Sequence, residues 1–348
     1  MILIYVLLIL LLYIDCKPCL TINSFNDGYL SVDTCAIIKG FFVILVFLRH
    51  GIQYITCTKN LLNNLFFIVD SYSGQLIVAM FLFYSGYGIY ESFKRKKEQY
   101  VKSFFVHRFI PTYCNFFICV FFYFLLSVAI NEDYSIKRII LAFIGWDDIG
   151  NSNWYMFVTF VLYILFYICF NNCKSDFIKI LIFSVLSFVL AVILYFVKPS
   201  YWYNTLLCFS LGLWWSYKKE SIEKFLFFSK KNYYLAVLIS IVCFIFLFFL
   251  SINISELYII LSCSFSISVC LFTMKIKINR IGCIFSLLGN HVFSIYILQR
   301  LFFIIFSRLG MNVYPYVFLS ISFLAVITLS LFYDYVFNAV RKKITKLS

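Results

Sequence analysis

Apolar runs of about twenty residues recur along the chain, separated by short charged connections, and they restrict its fold more than any other feature. Residues 180–197, ILIFSVLSFVLAVILYFV, carry no charge, and neither do residues 233–250, YYLAVLISIVCFIFLFFL. In hydrocarbon no water is present to satisfy backbone N–H and C=O groups, so a run long enough to cross a bilayer must satisfy them within itself, as a helix. Ten such runs are predicted, over about 36–57, 74–92, 112–130, 153–170, 177–197, 201–217, 233–251, 255–274, 287–307 and 313–338. The composition agrees: 64% of residues are hydrophobic and 13% charged, with a mean hydropathy of +0.96. A soluble domain has ~45–50% apolar and ~25% charged residues. The expected fold class is therefore all-α, a polytopic transmembrane helix bundle of ten core spans. Residues 1–14, MILIYVLLILLLYI, are short for a span and lack a basic leader, which favours a marginal N-terminal helix over a signal peptide. Residues 15–35 are polar and irregular, with a turn at Asn26-Asp27-Gly28. This divides the chain into an N-terminal helix and linker, 1–32, and a membrane domain, 33–348.

The formal charge of +14 does not mark a nucleic-acid binder, because the cations lie in short connections and not on one soluble face. Alternate connections carry them. Lys94–Lys97, Lys102, Arg108, Lys174, Lys218, Lys219, Lys224, Lys230, Lys231, Lys275, Lys277, Arg280, Arg341, Lys342, Lys343 and Lys346 fall on one side, and Lys59, Lys137, Arg138, Lys198 and Arg308 on the other. By the positive-inside rule the first set, and the C-terminus, are cytoplasmic. The connection 131–152 on the other side is acidic, with Glu132, Asp133, Asp147 and Asp148, and reads as either a solvated loop or a substrate-contacting one.

Several chemistries lack their residues. The lone CxxC of Cys16 and Cys19 has no second pair, and the three histidines, His50, His107 and His291, show no i, i+4 spacing, so no metal is expected. No phosphate loop precedes a Lys-Ser/Thr pair. Ser85 sits in SGYG inside a span and not in a nucleophile elbow; Ser85, Gly86 and Gly88 read as close-packing residues or, for Ser85, as a substrate contact. What remains is KGFFVILVFLRH, residues 39–50. Lys39 and His50 are eleven positions apart, which places them on one helix face roughly 16 Å apart. Ionisable groups within a span usually face the bundle interior or a wet cavity, though a snorkelling lysine and a hydrogen-bonded histidine would give the same pattern. An imidazole, with an ordinary pKa of ~6.5, suits a general base near neutral pH. Arg49 points ~100° away from His50, towards an acid or a headgroup. Within the basic connection, Arg108 near Pro111 is the stronger candidate for a phosphate contact, while Lys94–Lys97 set topology and meet anionic lipid.

Six stretches, in order over residues 33–338, together resemble acyltransferase family 3. They are the Lys39–His50 spacing, FLFYSGYGIY at 81–90, FVHRFIPTY at 105–113, NWYMFVTFVLY at 153–163, CFSLGLWWSYKKESIEKFL at 208–226 and LGNHVFSIYILQRLFF at 288–303. The sequence departs from the family pattern in having Lys39 where arginine is commoner, one clear arginine (Arg108) where two stand three apart, and Gln299-Arg300 where many relatives have histidine. The resemblance implies an acyltransferase acting on groups other than amino-acyl groups, an O-acetyltransferase type, in the inner membrane of a bacterium. Acetyl-CoA or another acyl-CoA would be the co-substrate on the cytoplasmic side, with no metal. The acceptor would be a carbohydrate or lipid-linked glycan of an envelope or exported polysaccharide. His50 would be the essential base or acyl carrier, with Lys39 beside it. Arg108 and Lys102 would hold the acyl-CoA, and Trp154, Tyr155, Ser85 and Arg300 would line the substrate site. His50 and Lys39 are expected to line one enclosed polar cavity with Arg108 at its inner mouth. A transporter or flippase for a glycolipid or small solute is the alternative.

Overall fold

The computed structural model describes residues 25–55, 74–172, 175–278 and 282–347, together with 6, 8, 10, 16–18, 64, 67, 70 and 71. The expected helix over 1–14 and the partner cysteine Cys19 lie mostly outside them. The described residues form a helical bundle with one short antiparallel ribbon, β1 (Cys16–Pro18) paired with β2 (Ile276–Ile278).

The turn at Asn26 forms as expected and starts the bundle. Asn26 Oδ1 accepts from Gly28 N at 3.2 Å, while Asn26 Nδ2 donates to Ile276 O at 2.9 Å, so the turn is tied to the chain entering β2. Ser31 then caps α1 (Val32–Gly51), its hydroxyl accepting from Thr34 N at 3.2 Å, with Asp33 in the first turn and Arg49 and His50 in the last. Both charge placements oppose the helix dipole favourably. A 3₁₀ turn, Ile52–Tyr54, follows.

The next element is a continuous helical path: α2 (Leu76–Phe104), a π-turn (Phe105–Phe109) and α3 (Ile110–Ala129). Its 54 residues would extend about 80 Å, far more than one bilayer crossing needs. It contains two of the predicted spans, and Lys97 (φ 47°, ψ −130°) breaks the helical geometry between them. Then come a short α4 (Ile136–Phe143), α5 (Trp154–Asn172), α6 (Asp176–Val197), α7 (Leu207–Phe228), α8 (Lys230–Asn253) and α9 (Tyr258–Thr273). After β2 come α10 (Gly282–Asn290), α11 (Val292–Arg308) and α12 (Pro315–Leu347). Among the described residues seven helices are long and apolar enough to cross a membrane, or eight if the pair within 283–308, bent by 78°, is one span. This falls short of the ten predicted. Two predicted spans lie in one continuous path, and α7 is too polar in its second half, where Lys218, Lys219, Glu220, Glu223 and Lys224 fall.

Contacts between elements separate the two ends of the bundle. At the basic end Glu91 pairs with Lys94 at 2.5 Å and accepts from Ser216 at 2.7 Å, Asp176 pairs with Lys179 at 3.1 Å, and Arg341 donates to His107 O at 3.2 Å. At the far end Arg308 pairs with Glu132 at 2.5 Å, Arg138 with Asp148 at 2.9 Å, and Asn312 donates to Tyr54 O at 3.0 Å.

Two glycine pairs let backbones touch. A Cβ on Gly289 would lie 1.7 Å from Ala36 O, and one on Gly40 would lie 1.7 Å from Phe285 O, so α1 and α10 pack main chain to main chain. Gly86 and Gly212 do the same for α2 and α7, each with a 2.1 Å approach to a carbonyl oxygen. Of the small residues in SGYG, Gly86 therefore packs, while Gly88 has nothing within 4 Å of its Cβ position. Gly289→Ala is expected to cost about 1–3 kcal/mol by forcing α1 and α10 apart. Gly88→Ala is expected to be neutral or stabilising by about 0.5–1 kcal/mol, since alanine loses less backbone freedom in a helix. Thermal unfolding of both variants in one detergent checks the contrast, and equal effects would refute it.

Candidate active site

Two cavities of about 420 Å³ each open within the bundle, one towards each end. The far cavity holds His50. Its Nδ1 is 2.8 Å from Gln299 Nε2 on α11, and its ring lies 6.0 Å from that of Tyr296. Gln299 is fully buried, and the same amide nitrogen donates to Tyr296 O at 2.9 Å, while its Oε1 has no partner in the structure. An amide N–H₂ facing both a carbonyl and Nδ1 can only donate, so Nδ1 accepts and the imidazole proton sits on Nε2. Arg49 reaches the buried Asp70, the acid partner that its helical position allowed.

The remaining wall of the far cavity is aromatic and polar. Trp146 and Trp202 stand 5.8 Å apart, and Lys198 Nζ lies 4.0 and 4.3 Å from their ring centres while donating to Trp146 O at 2.6 Å. Burial against these rings pushes the Lys198 ammonium pKa down, opposed by Asp147 and Asp148. Trp154 stacks edge-on to Tyr201 at 6.0 Å. The loop from Gly145 (φ +83°) to Gly150 (φ +98°) turns at left-handed glycines and is held by Asn153 Nδ2, which donates to Ala142 O at 3.1 Å. The acidic connection is thus a cavity wall at Asp147 and Asp148, while Asp133 is exposed.

The basic-end cavity holds Lys39, Ser85, Arg108 and Tyr155. The π-turn sets Arg108: one extra residue per turn, a feature frequent at functional sites, aims its guanidinium 5.8 Å over the Tyr163 ring. Asp334, from α12, accepts from Ser294 and pairs with His291 Nδ1 at 2.5 Å. Arg341, Asn115, Asn290 and Asn338 add to its polar lining.

Seven of the eight singled-out residues therefore line these cavities: His50, Trp154 and Arg300 the far one, and Lys39, Ser85, Tyr155 and Arg108 the other. Lys102 is exposed on α2 and lines neither. His50 and Lys39 share a helix but not a cavity, because Tyr296, reaching in from α11, lines both spaces and separates them. Its hydroxyl is 3.2 Å from Ser152 Oγ and its ring 5.5 Å from Tyr155. Tyr296, Gln299, Ser294 and Asp334 were not identified from sequence. Asp334 carried a signal, being a lone carboxylate in an apolar run; Gln299 was marked only as a departure from the family pattern, and Tyr296 carried no signal among so many tyrosines. Among the described residues no three His, Cys, Asp or Glu gather as a metal site.

Residues 32–334 match a family model described as an acyltransferase domain. No curated protein and no solved structure matches the chain. The Gln299 geometry fixes a state that spectroscopy can read. With only three histidines in the sequence, ¹⁵N-histidine NMR resolves the signal absent from a His50→Asn variant. The expected His50 state is Nε2–H with an unprotonated Nδ1, moving to Nδ1–H in Gln299→Glu, whose carboxylate can only accept. A wild-type Nδ1–H tautomer would refute the assignment.

Proposed function

This chain belongs to the acyltransferase family whose model spans residues 32–334, and from that premise we propose that it moves an acetyl or similar acyl group from acyl-CoA to a carbohydrate hydroxyl across its membrane. The observation that carries this reading is the pair of cavities back to back at Tyr296, one cationic and one aromatic. The basic-end cavity offers Lys39, Arg108 and Arg341 to the phosphates of CoA, since ammonium and guanidinium groups form charge-assisted hydrogen bonds with phosphate oxygens. The far cavity offers indole faces, amides and a carboxylate pair, which suit the apolar faces and hydroxyls of a sugar. The positive-inside rule puts the first cavity in the cytoplasm and the second on the extracytoplasmic side.

In this reading the acyl thioester reaches past Tyr296 towards His50. His50 Nε2 takes the proton of the acceptor hydroxyl as its oxygen bonds to the acyl carbon, the C–S bond breaks, and the imidazolium returns the proton to the departing thiolate. That step needs Nε2 unprotonated and the ring proton on Nδ1. A half-turn of the Gln299 side-chain amide, bringing its unpartnered Oε1 to Nδ1, supplies that tautomer. Carrying the acyl group on the ring would need the same lone pair.

His50→Ala is expected to insert and fold normally but to lose ~10²–10⁴-fold in acyl transfer, the usual contribution of a positioned acid–base group. Mass spectrometry of surface glycans from cells with each form checks this, and normal acylation by the variant would reject the mechanism. Arg108→Ala is expected to raise KM for acyl-CoA about 10- to 100-fold, matching the loss of a charge-assisted hydrogen bond, with a smaller effect on kcat. An unchanged KM would remove Arg108 from the donor site.

A further inference from the structure

The charges around the far cavity do not cancel. Arg49 has Asp70, and Arg138 lies 2.9 Å from Asp148 and 3.8 Å from Asp147. Lys198, held between two indoles, is close enough to Asp147 and Asp148 to feel both. Three cations are thereby set against three carboxylates. Arg300 is left over. Its guanidinium donates to Gln53 Oε1 at 2.6 Å, an uncharged partner, and among the described residues it forms no ion pair. Its buried Nε has no hydrogen-bond partner among the described residues. The undescribed residues of the adjoining stretch 56–73 include no Asp or Glu, so the sequence there supplies no counter-charge either. A guanidinium facing a half-enclosed cavity inside a helix bundle is costly without an anion, and its planar fork is shaped for a carboxylate or phosphate.

We propose that Arg300 binds an anionic group on the acceptor, so that the acceptor is an acidic sugar and Arg300 determines that specificity. The inference rests on the reading of the far cavity as the acceptor site. The geometry supports a substituent and not the reacting centre. Gln53, whose side chain accepts from the guanidinium, follows His50 by three residues, the last two of them in the 3₁₀ turn, so its Cα stands about 5 Å beyond that of His50 along the axis. That offset spans from a ring hydroxyl to a carboxylate or phosphate carried elsewhere on the same pyranose. The aromatic walls at Trp146, Trp154 and Trp202 would take its apolar faces.

Three of the five tryptophans line this cavity, so their fluorescence reports binding without any acyl transfer. The purified full chain in nanodiscs is titrated with matched pairs: methyl glucuronide and methyl glucoside, methyl galacturonide and methyl galactoside, N-acetylmuramate and N-acetylglucosamine. At least one acid is expected to bind about 10- to 100-fold more tightly than its neutral counterpart, as for a charge-assisted pair. Arg300→Gln should bring that ratio close to one, and Arg300→Lys, with unfolding temperature checked for both, should keep part of it. Equal binding of every pair by the wild type, or an undiminished preference in Arg300→Gln, would overturn the proposal. In an acyl-CoA assay of the same pairs, a fall in kcat common to acidic and neutral acceptors with the preference retained would place Arg300 at the reacting carbonyl and would also overturn it. Acid-selective binding lost in Arg300→Gln, with no transfer to any sugar, would uphold the anion site and reject the acyl-transfer reading alone.

Discussion

An ionised side chain inside hydrocarbon needs either a partner or a wet space, and the polar architecture of this protein follows from that cost. Asp70 is buried and carries Arg49; Lys179 is buried and carries Asp176 together with the Phe93 ring, 4.8 Å away. Groups not absorbed in such pairs face the two cavities: Lys39 and Arg108 at one end, His50 and Arg300 at the other. The cavities are where the bundle holds polar groups that its apolar helices could not otherwise accommodate.

What gives those cavities their shape is close backbone packing on one side of α1 and a broken helix on another. Gly40 and Gly289 lock α1 to α10 with no side chain between them. The chain then bends by 78° at His291, and α11 returns along α1 with its buried face inward. That bend brings Tyr296 between the cavities and Gln299 against His50, while the Asp334 carboxylate, held by His291 and Ser294, ties the corner to α12. One phenol ring lines both chambers and one amide is the partner of the key imidazole, both on the same helix three residues apart.

Much of this was legible in the chain. The apolar runs gave helices, the Asn26 turn marked where the bundle starts, and the eleven-residue spacing placed Lys39 and His50 on one face. Seven of eight proposed site residues do line cavities. Lys102 does not, because its place in the sequence near Arg108 says nothing about which way an exposed position on α2 turns. The predicted runs 74–92 and 112–130 fall in the two halves of the path from Leu76 to Ala129, on either side of its break at Lys97.

The sequence alone determined the class of protein and the placement of its charges, because hydrophobic length and charge alternation are local properties that hydrocarbon enforces segment by segment. Only the tertiary structure decided that His50 and Lys39 open into different chambers, that Gln299 holds the imidazole, and that Arg300 forms no ion pair among the described residues. These depend on pairs of residues some 250 positions apart, brought together by backbone contact at glycines and by one bend, and nothing in the residues between them specifies that geometry.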